Sequence, residues 1–198
     1  MGCDIHVRIE CRDGMGNWHK VPFHTQYDVD CPSKYSPVEE NSILVDGLNR
    51  RNYNFFAVLA NVRNETWSDR IPPIAEPRGL PSDLSGRGVD ADGCHMGSDY
   101  DWEFGDHSLS YITLQELLDY SWDQIIINRG FVSDEFVNGW DGKTPPSSYA
   151  GWSNRGQQVE WQNTVKGMVG AHIFESIIPT LRQLGDPEDV RLVFGFDN

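Results

Sequence analysis

The chain has 198 residues, a net charge of −14 and 38% hydrophobic residues, including seven Trp, seven Tyr and nine Phe. That length and aromatic content argue against disorder and for a single domain with a sizeable core. The acidic excess disfavours duplex nucleic acid and anionic membrane surfaces as partners, because binding their phosphates takes cations.

A compact anionic ligand held by local arginines, or a metal site, stays compatible with that charge. No apolar run reaches the length of a membrane span. No basic, apolar leader opens the chain, so a cytoplasmic protein is expected. Four cysteines at 3, 11, 31 and 94 form no C-x-x-C pair and are read as free thiols.

Residues 3–11 alternate apolar Ile5, Val7 and Ile9 with Asp4, His6, Arg8 and Glu10, the period of a half-buried strand. The turn cluster at 13–17 and the extended run at 17–22 complete a hairpin. Residues 23–49 read as irregular. Phe55, Phe56, Leu59 and Val62 predict a helix over 52–63. A long Pro-, Gly- and Asp-rich loop follows over 64–106, and loops of that length in a compact domain are usually functional.

Thr113-Leu114-Gln115-Glu116 is a capping-box pattern opening a short helix. Residues 124–132 predict a strand, and 133–158 a loop. Val165, Met168, Val169, His172, Ile173, Ile177, Leu181 and Leu184 form one apolar stripe, a long helix that Pro179 should kink. Residues 190–196 form a closing strand. The expected fold is α+β: helices on one face of a mixed or antiparallel sheet that includes both chain termini.

Asp4 and His6 lie two apart on a strand, hence on one face, where they can hold a metal or a substrate atom. The competing reading is a solvated outer face shared with Arg8 and Glu10. If the closing strand pairs antiparallel with the first, Asp197 and Asn198 fall beside Asp4 and His6. Arg50 and Arg51, followed by Asn52, stand at a helix start, where cations and free N–H groups together can hold an anion. Pro77-Arg78-Gly79-Leu80-Pro81 is a rigid turn that can present Arg78. Asp106 can orient His107, with Ser108 and Ser110 as ligand contacts.

Other patterns are weaker. A zinc site from His19, His24, Cys31, Cys94 and His95 fits no standard spacing. Residues 99–104 lack the glycine of a calcium loop and read rather as a strand or lid. His172 reads as a core histidine. Trp140, Tyr149, Trp152 and Trp161 either cover the core or stack a planar ligand.

Several segments together resemble a family of tailed-phage and actinobacterial proteins to which no activity is assigned. They are Met1-Gly2-Cys3-Asp4-Ile5-His6, Arg51-Asn52-Tyr53 with Phe56-Ala57, residues 73–81, His107-Ser108 with Ser110, Thr113-Leu114 with Glu116-Leu117, and residues 190–198. Similar proteins carry His-Ser-His-Ser where this chain has His107-Ser108-Leu109-Ser110, which puts a role for the second histidine in question. The resemblance implies a phage or prophage setting and the host cytoplasm.

The leading expectation is a protein handling a small anionic, nucleotide-like ligand, with phosphoester hydrolysis as the reaction. His6 and His107 would transfer protons, with Asp4 and Asp106 orienting them or, for Asp4 and His6, binding a divalent metal. Arg51, Asn52, Arg78, Ser108 and Ser110 would hold the ligand. Two alternatives are a non-catalytic sequestering protein and a structural or host-protein-binding module. Homo-oligomerisation is left open.

Overall fold

The computed structural model describes residues 2–31, 38–64, 68–86, 101–151 and 156–198. In chain order the elements are β1 (Asp4–Arg12), β2 (Trp18–Val21), β3 (Phe23–His24), α1 (Gln26–Asp30), β4 (Ile43–Leu44) and α2 (Tyr53–Ala60). A 3-10 turn (Asp101–Phe104) then precedes β5 (His107–Thr113), α3 (Leu114–Asp119), β6 (Ile125–Val132), α4 (Asp134–Gly139) and β7 (Gln157–Thr164). The last elements are α5 (Val165–Val169), a π-helical turn (Ile173–Ile177), α6 (Ile178–Leu181), a 3-10 turn (Pro187–Asp189) and β8 (Val190–Asp197).

Contacts gather these elements into two compact units. The first comprises 1–52, 74–120 and 171–198; the second comprises 53–73 and 121–170.

The first unit is built on an antiparallel sheet in the order β2-β1-β8-β5, so both chain ends lie in its middle. The expected α+β class and the sheet containing both termini are what the fold has. The central place of β8 follows from its composition. Only Asp197 among its eight residues escapes full burial, and a strand covered on both faces must be an almost unbroken apolar run. β1 and β2 close as the expected hairpin, with the Asp13 carboxylate accepting the N–H groups of Met15 and Asn17, both at 2.9 Å.

The capping box forms as the sequence predicts. Thr113 Oγ1 accepts the Glu116 N–H at 3.1 Å, and the Glu116 carboxylate accepts the Thr113 N–H at 2.9 Å. This satisfies donors that a helix start leaves open. Leu114 and Leu117 are buried, and α3 packs on β8.

β5 is interrupted. His107 pairs with Phe196 and Ser110 with Phe194, so one extra residue is bulged between them. Ser108, in that bulge, has φ 52°, a left-handed conformation that occurs in one class of bulge. The turn before β5 crosses closely over β8. Asp106 donates its N–H to the Phe196 carbonyl at 2.8 Å, and a methyl on Gly195 would overlap the Phe104 carbonyl and the Leu109 side chain. Glycine at 195 is therefore a packing requirement.

The second unit holds α2, α4, α5 and the β6–β7 ribbon. In α2, Phe55 to Ala60 are all buried, which accounts for the apolar run predicted there.

Four expectations are corrected. Residues 23–49 are not wholly irregular, since they contain α1 and the parallel pair β3–β4. Residues 133–158 include α4 and the start of β7; with Trp161 the one buried residue of β7, this strand lacks the apolar alternation that would reveal it. The long helix is broken, and not first at Pro179: Gly170, with φ 87°, ends α5. A left-handed glycine is an ordinary helix stop, and Pro179 sits harmlessly in the first turn of α6. Asp101–Phe104 is a 3-10 turn rather than a strand, and residues 99 and 100 lie outside the described set.

Candidate functional site

The register of β1 and β8 assembles the site, and all of it lies in the first unit. Asp4 stands opposite Asp197, and His6 opposite Gly195. Directly opposed residues of an antiparallel pair share a face, so Asp4, His6 and Asp197 emerge together. His6 Nε2 lies 2.9 Å from Asp197 Oδ2. The other oxygen, Oδ1, accepts the Asp4 N–H at 3.3 Å. A carboxylate only accepts, so this contact places the imidazole proton on Nε2 and leaves Nδ1 as the basic atom. Both side chains reach water, at 38% and 44% exposure.

Beside this dyad, Arg51 grips Asp4 with two bonds, Nε to Oδ1 at 2.5 Å and Nη2 to Oδ2 at 2.7 Å. The Arg51 hydrogen bonds hold the Asp4 carboxyl below its ordinary range. The hydrogen bond from His6 does the same for Asp197. Both carboxyls are therefore ionised at neutral pH, and the cluster combines two anions, one guanidinium and an imidazole.

The other site residues named from sequence fall elsewhere. His107 stands opposite Phe196, on the face of β8 away from Gly195 and His6, and its ring stacks on Phe196 at 5.9 Å. The two histidines thus occupy opposite faces of one sheet and do not form an acid–base pair. The bulge leaves His107 Nδ1 against Ser108 Oγ at 3.0 Å, and Nε2 buried with no hydrogen-bond partner among the described residues. Asp106 is exposed, and Ser108 rather than Asp106 contacts the ring.

Ser110 is fully buried and accepts the Arg78 N–H at 3.1 Å. The Arg78 guanidinium runs towards the Tyr111 carbonyl and the Glu116 carboxylate, its shorter bond to Glu116 being 2.6 Å. That direction leads away from Asp197, because Tyr111 and Thr113 pair with Val193 and Arg191. Arg50 pairs with Asp46 at 2.8 Å. Asn52 adjoins Arg51 in the chain, and α2 starts only at Tyr53.

Asp4 and His6 are poorly arranged for a metal. Both Asp4 oxygens face Arg51, and His6 Nε2 faces Asp197. Among the described residues no three His, Cys, Asp or Glu side chains converge as metal ligands. The zinc candidates disperse as well: His19 meets Asp13 and His24 meets Ser42, each at 2.8 Å. Cys94 and His95 lie outside the described residues. Among the described residues, Cys3, Cys11 and Cys31 form no disulfide.

Further along the same face, Arg8 and Glu10 are not solvated. They are 5% and 0% exposed, and so is Arg191, at 3%. Glu10 accepts from Ser85 N at 2.9 Å, Ser85 Oγ at 2.5 Å and Arg191 Nε at 2.8 Å. Arg8 pairs with Glu103, and Arg191 with Asp83 at 2.7 Å while stacking on Trp18 at 3.9 Å. Sequence reasoning missed this network. Its one local signal was Glu10 facing Arg191 in the antiparallel register.

No family model, no curated protein and no solved structure matches the chain. Among the described residues, no helix is long and apolar enough to cross a membrane.

Proposed function

We propose that the cluster of Asp4, His6, Arg51 and Asp197 handles a small anionic, nucleotide-like ligand, in the phage setting that the resemblance implies, with phosphoester hydrolysis as the reaction. The observation that carries this reading is the solvent-reaching His6–Asp197 dyad at 2.9 Å. An imidazole oriented by an ionised carboxylate is an efficient proton acceptor, because Asp197 stabilises the imidazolium formed when Nδ1 takes a proton. His6 would accept the proton of an attacking water through Nδ1 and return it to the leaving oxygen. Arg51 would hold the phosphate.

Arg51 is 57% exposed and its Asp4 partner 47%. Such a surface pair is worth about 0–1 kcal/mol, so a ligand phosphate displaces Asp4 at little cost.

The separation of His107 from His6 favours a second reading, sequestration without turnover, since among the described residues the cluster holds one imidazole and not two. One experiment separates the readings. The purified protein is incubated with cyclic and linear nucleotides, with and without divalent metal, and ligand and products are followed by chromatography. Hydrolysis predicts new products that His6→Ala and Asp197→Asn abolish and His107→Gln retains. Sequestration predicts intact nucleotide retained by the protein and released by Arg51→Ala. Neither product nor retention refutes nucleotide handling at this cluster.

A further inference from the structure

A cavity in the second unit has the chemistry of a different site. Its volume is about 420 Å³, and its lining includes Asn54, Asn128, Asn163, Tyr149 and Trp161. Small-molecule sites span roughly 300–1,000 Å³. The β6–β7 register explains how it is built. Asn128 pairs with Trp161 and Ile126 with Asn163, so the indole and two amides share one face. Gly130 continues that face without a side chain, and the Tyr149 ring fills the space: a methyl on Gly130 would come within 2.7 Å of Tyr149 Cδ2. Tyr149 is held there by its neighbour Ala150, which exchanges two backbone hydrogen bonds with Phe131 at 2.8 and 3.0 Å.

The polar groups divide into those committed to the protein and those left over. Asn128, 5% exposed, is committed: Oδ1 accepts from Ser68 Oγ at 3.1 Å and Nδ2 donates to the Ile126 carbonyl at 3.3 Å. Asn54 donates Nδ2 to the Met168 carbonyl at 2.9 Å, which leaves its Oδ1 as an acceptor. Among the described residues, the Asn163 side-chain amide and the Trp161 indole N–H make no hydrogen bond to protein and are not sealed from solvent. Trp161 as a whole is 5% exposed, so its indole body packs into the protein while the N–H stays open to a hydrogen-bonding partner. The open groups thus include both donors and acceptors, and none of them is charged. Arg129, also in the lining, is compensated by Asp69 at 2.8 Å and Glu160 at 2.7 Å. Among the described residues, the cavity therefore offers no uncompensated cation for a phosphate.

The aromatic geometry narrows the ligand. Tyr149 and Trp161 meet at 61° with centroids 4.8 Å apart. Two rings at that angle make a corner, not the parallel slot in which a flat nucleobase is sandwiched. A corner with amide donors and acceptors around it suits a puckered ring that presents C–H groups to an aromatic face and hydroxyls at its rim.

We infer that this cavity binds a neutral saccharide, with Asn163 and the Trp161 N–H bonding its hydroxyls and Tyr149 packing against the ring. The site shares no residue with the strand-end cluster, so either reading stands or falls alone.

The test uses the full chain, with ¹⁵N-labelled protein titrated by N-acetylglucosamine, glucose, maltose and chitobiose, and separately by adenosine and uridine. The expected result is a saturable shift of the Trp161 indole and Asn163 amide signals with at least one sugar. Asn163→Ala and Tyr149→Ala should each weaken it about tenfold, the loss of roughly one hydrogen bond or ring contact. Tyr149 is 55% exposed, so its removal should cost less packing than a buried ring would and keeps the test valid should Asn163→Ala fold poorly. No shift with any sugar overturns the inference. So does a response to nucleosides alone, or sugar binding unaffected by Tyr149→Ala.

Discussion

Replacing Glu10 by Ala tests the reasoning about the buried network most severely. The change removes a fully buried carboxylate that accepts two bonds from Ser85 and one from Arg191 Nε, with Arg191 Nη2 also 2.7 Å away in the ion pair. Arg8 Nη1 stands at 3.6 Å. Breaking a buried ion pair from one side costs about 3–5 kcal/mol, because the remaining charge stays buried without its partner. Here each arginine keeps a second carboxylate, Glu103 for Arg8 and Asp83 for Arg191. Those two are more exposed and compensate less, so the expected loss lies near the lower end, about 3 kcal/mol. With a urea m-value of about 2 kcal/mol/M, the unfolding midpoint should fall by roughly 1.5 M.

The double variant Glu10→Leu with Arg191→Met should lose less than the sum of its single variants, because it removes the stranded cation as well. Urea titrations followed by circular dichroism, with matched m-values, measure both quantities. A loss below about 1 kcal/mol for Glu10→Ala, or strict additivity in the double variant, would refute the claim that the network is a coupled buried unit.

Two further predictions concern the strand-end site. Gly195→Ala should destabilise the protein by about 1–3 kcal/mol, since the added methyl meets the Phe104 carbonyl and Leu109; a thermal melt matching wild type would show that this crossing yields easily. The lowered carboxyl pKa values of Asp197 and Asp4 act in the acid range. A carboxyl depressed in the folded state stabilises fully above its unfolded value, near 3.8, and that stability is lost as pH falls through the folded value. His6→Ala removes the main cause of the Asp197 depression, so its stability should fall less steeply than wild type as pH drops below about 4. Equal slopes would mean that the dyad does not hold in solution.

Local pattern determined those parts of this protein that a few neighbouring residues can settle. The alternation in residues 3–11, the turn at 13–17, the capping box at Thr113 and the apolar run at 190–196 each follow from short-range sterics and hydrogen bonding, and each forms where expected. Even the Asp4–Asp197 meeting was legible as a condition, true only for antiparallel pairing of the two terminal strands. What local pattern could not supply was the pairing itself and its consequences for faces. The bulge at Ser108 and the register of β5 on β8 decide that His107 lies across the sheet from His6, and that depends on residues almost ninety positions away.

The same holds for the charged residues. Arg8 and Glu10 have the same alternating pattern as Asp4 and His6, yet the segment carrying Asp83 and Ser85 buries the first two and leaves the second two in water. β7, with one buried residue in eight, is a strand only because β6 pairs with it. Periodicity specifies which side of a strand is apolar. Only the contacts made by distant segments decide whether its polar side meets water, a partner charge or a ligand.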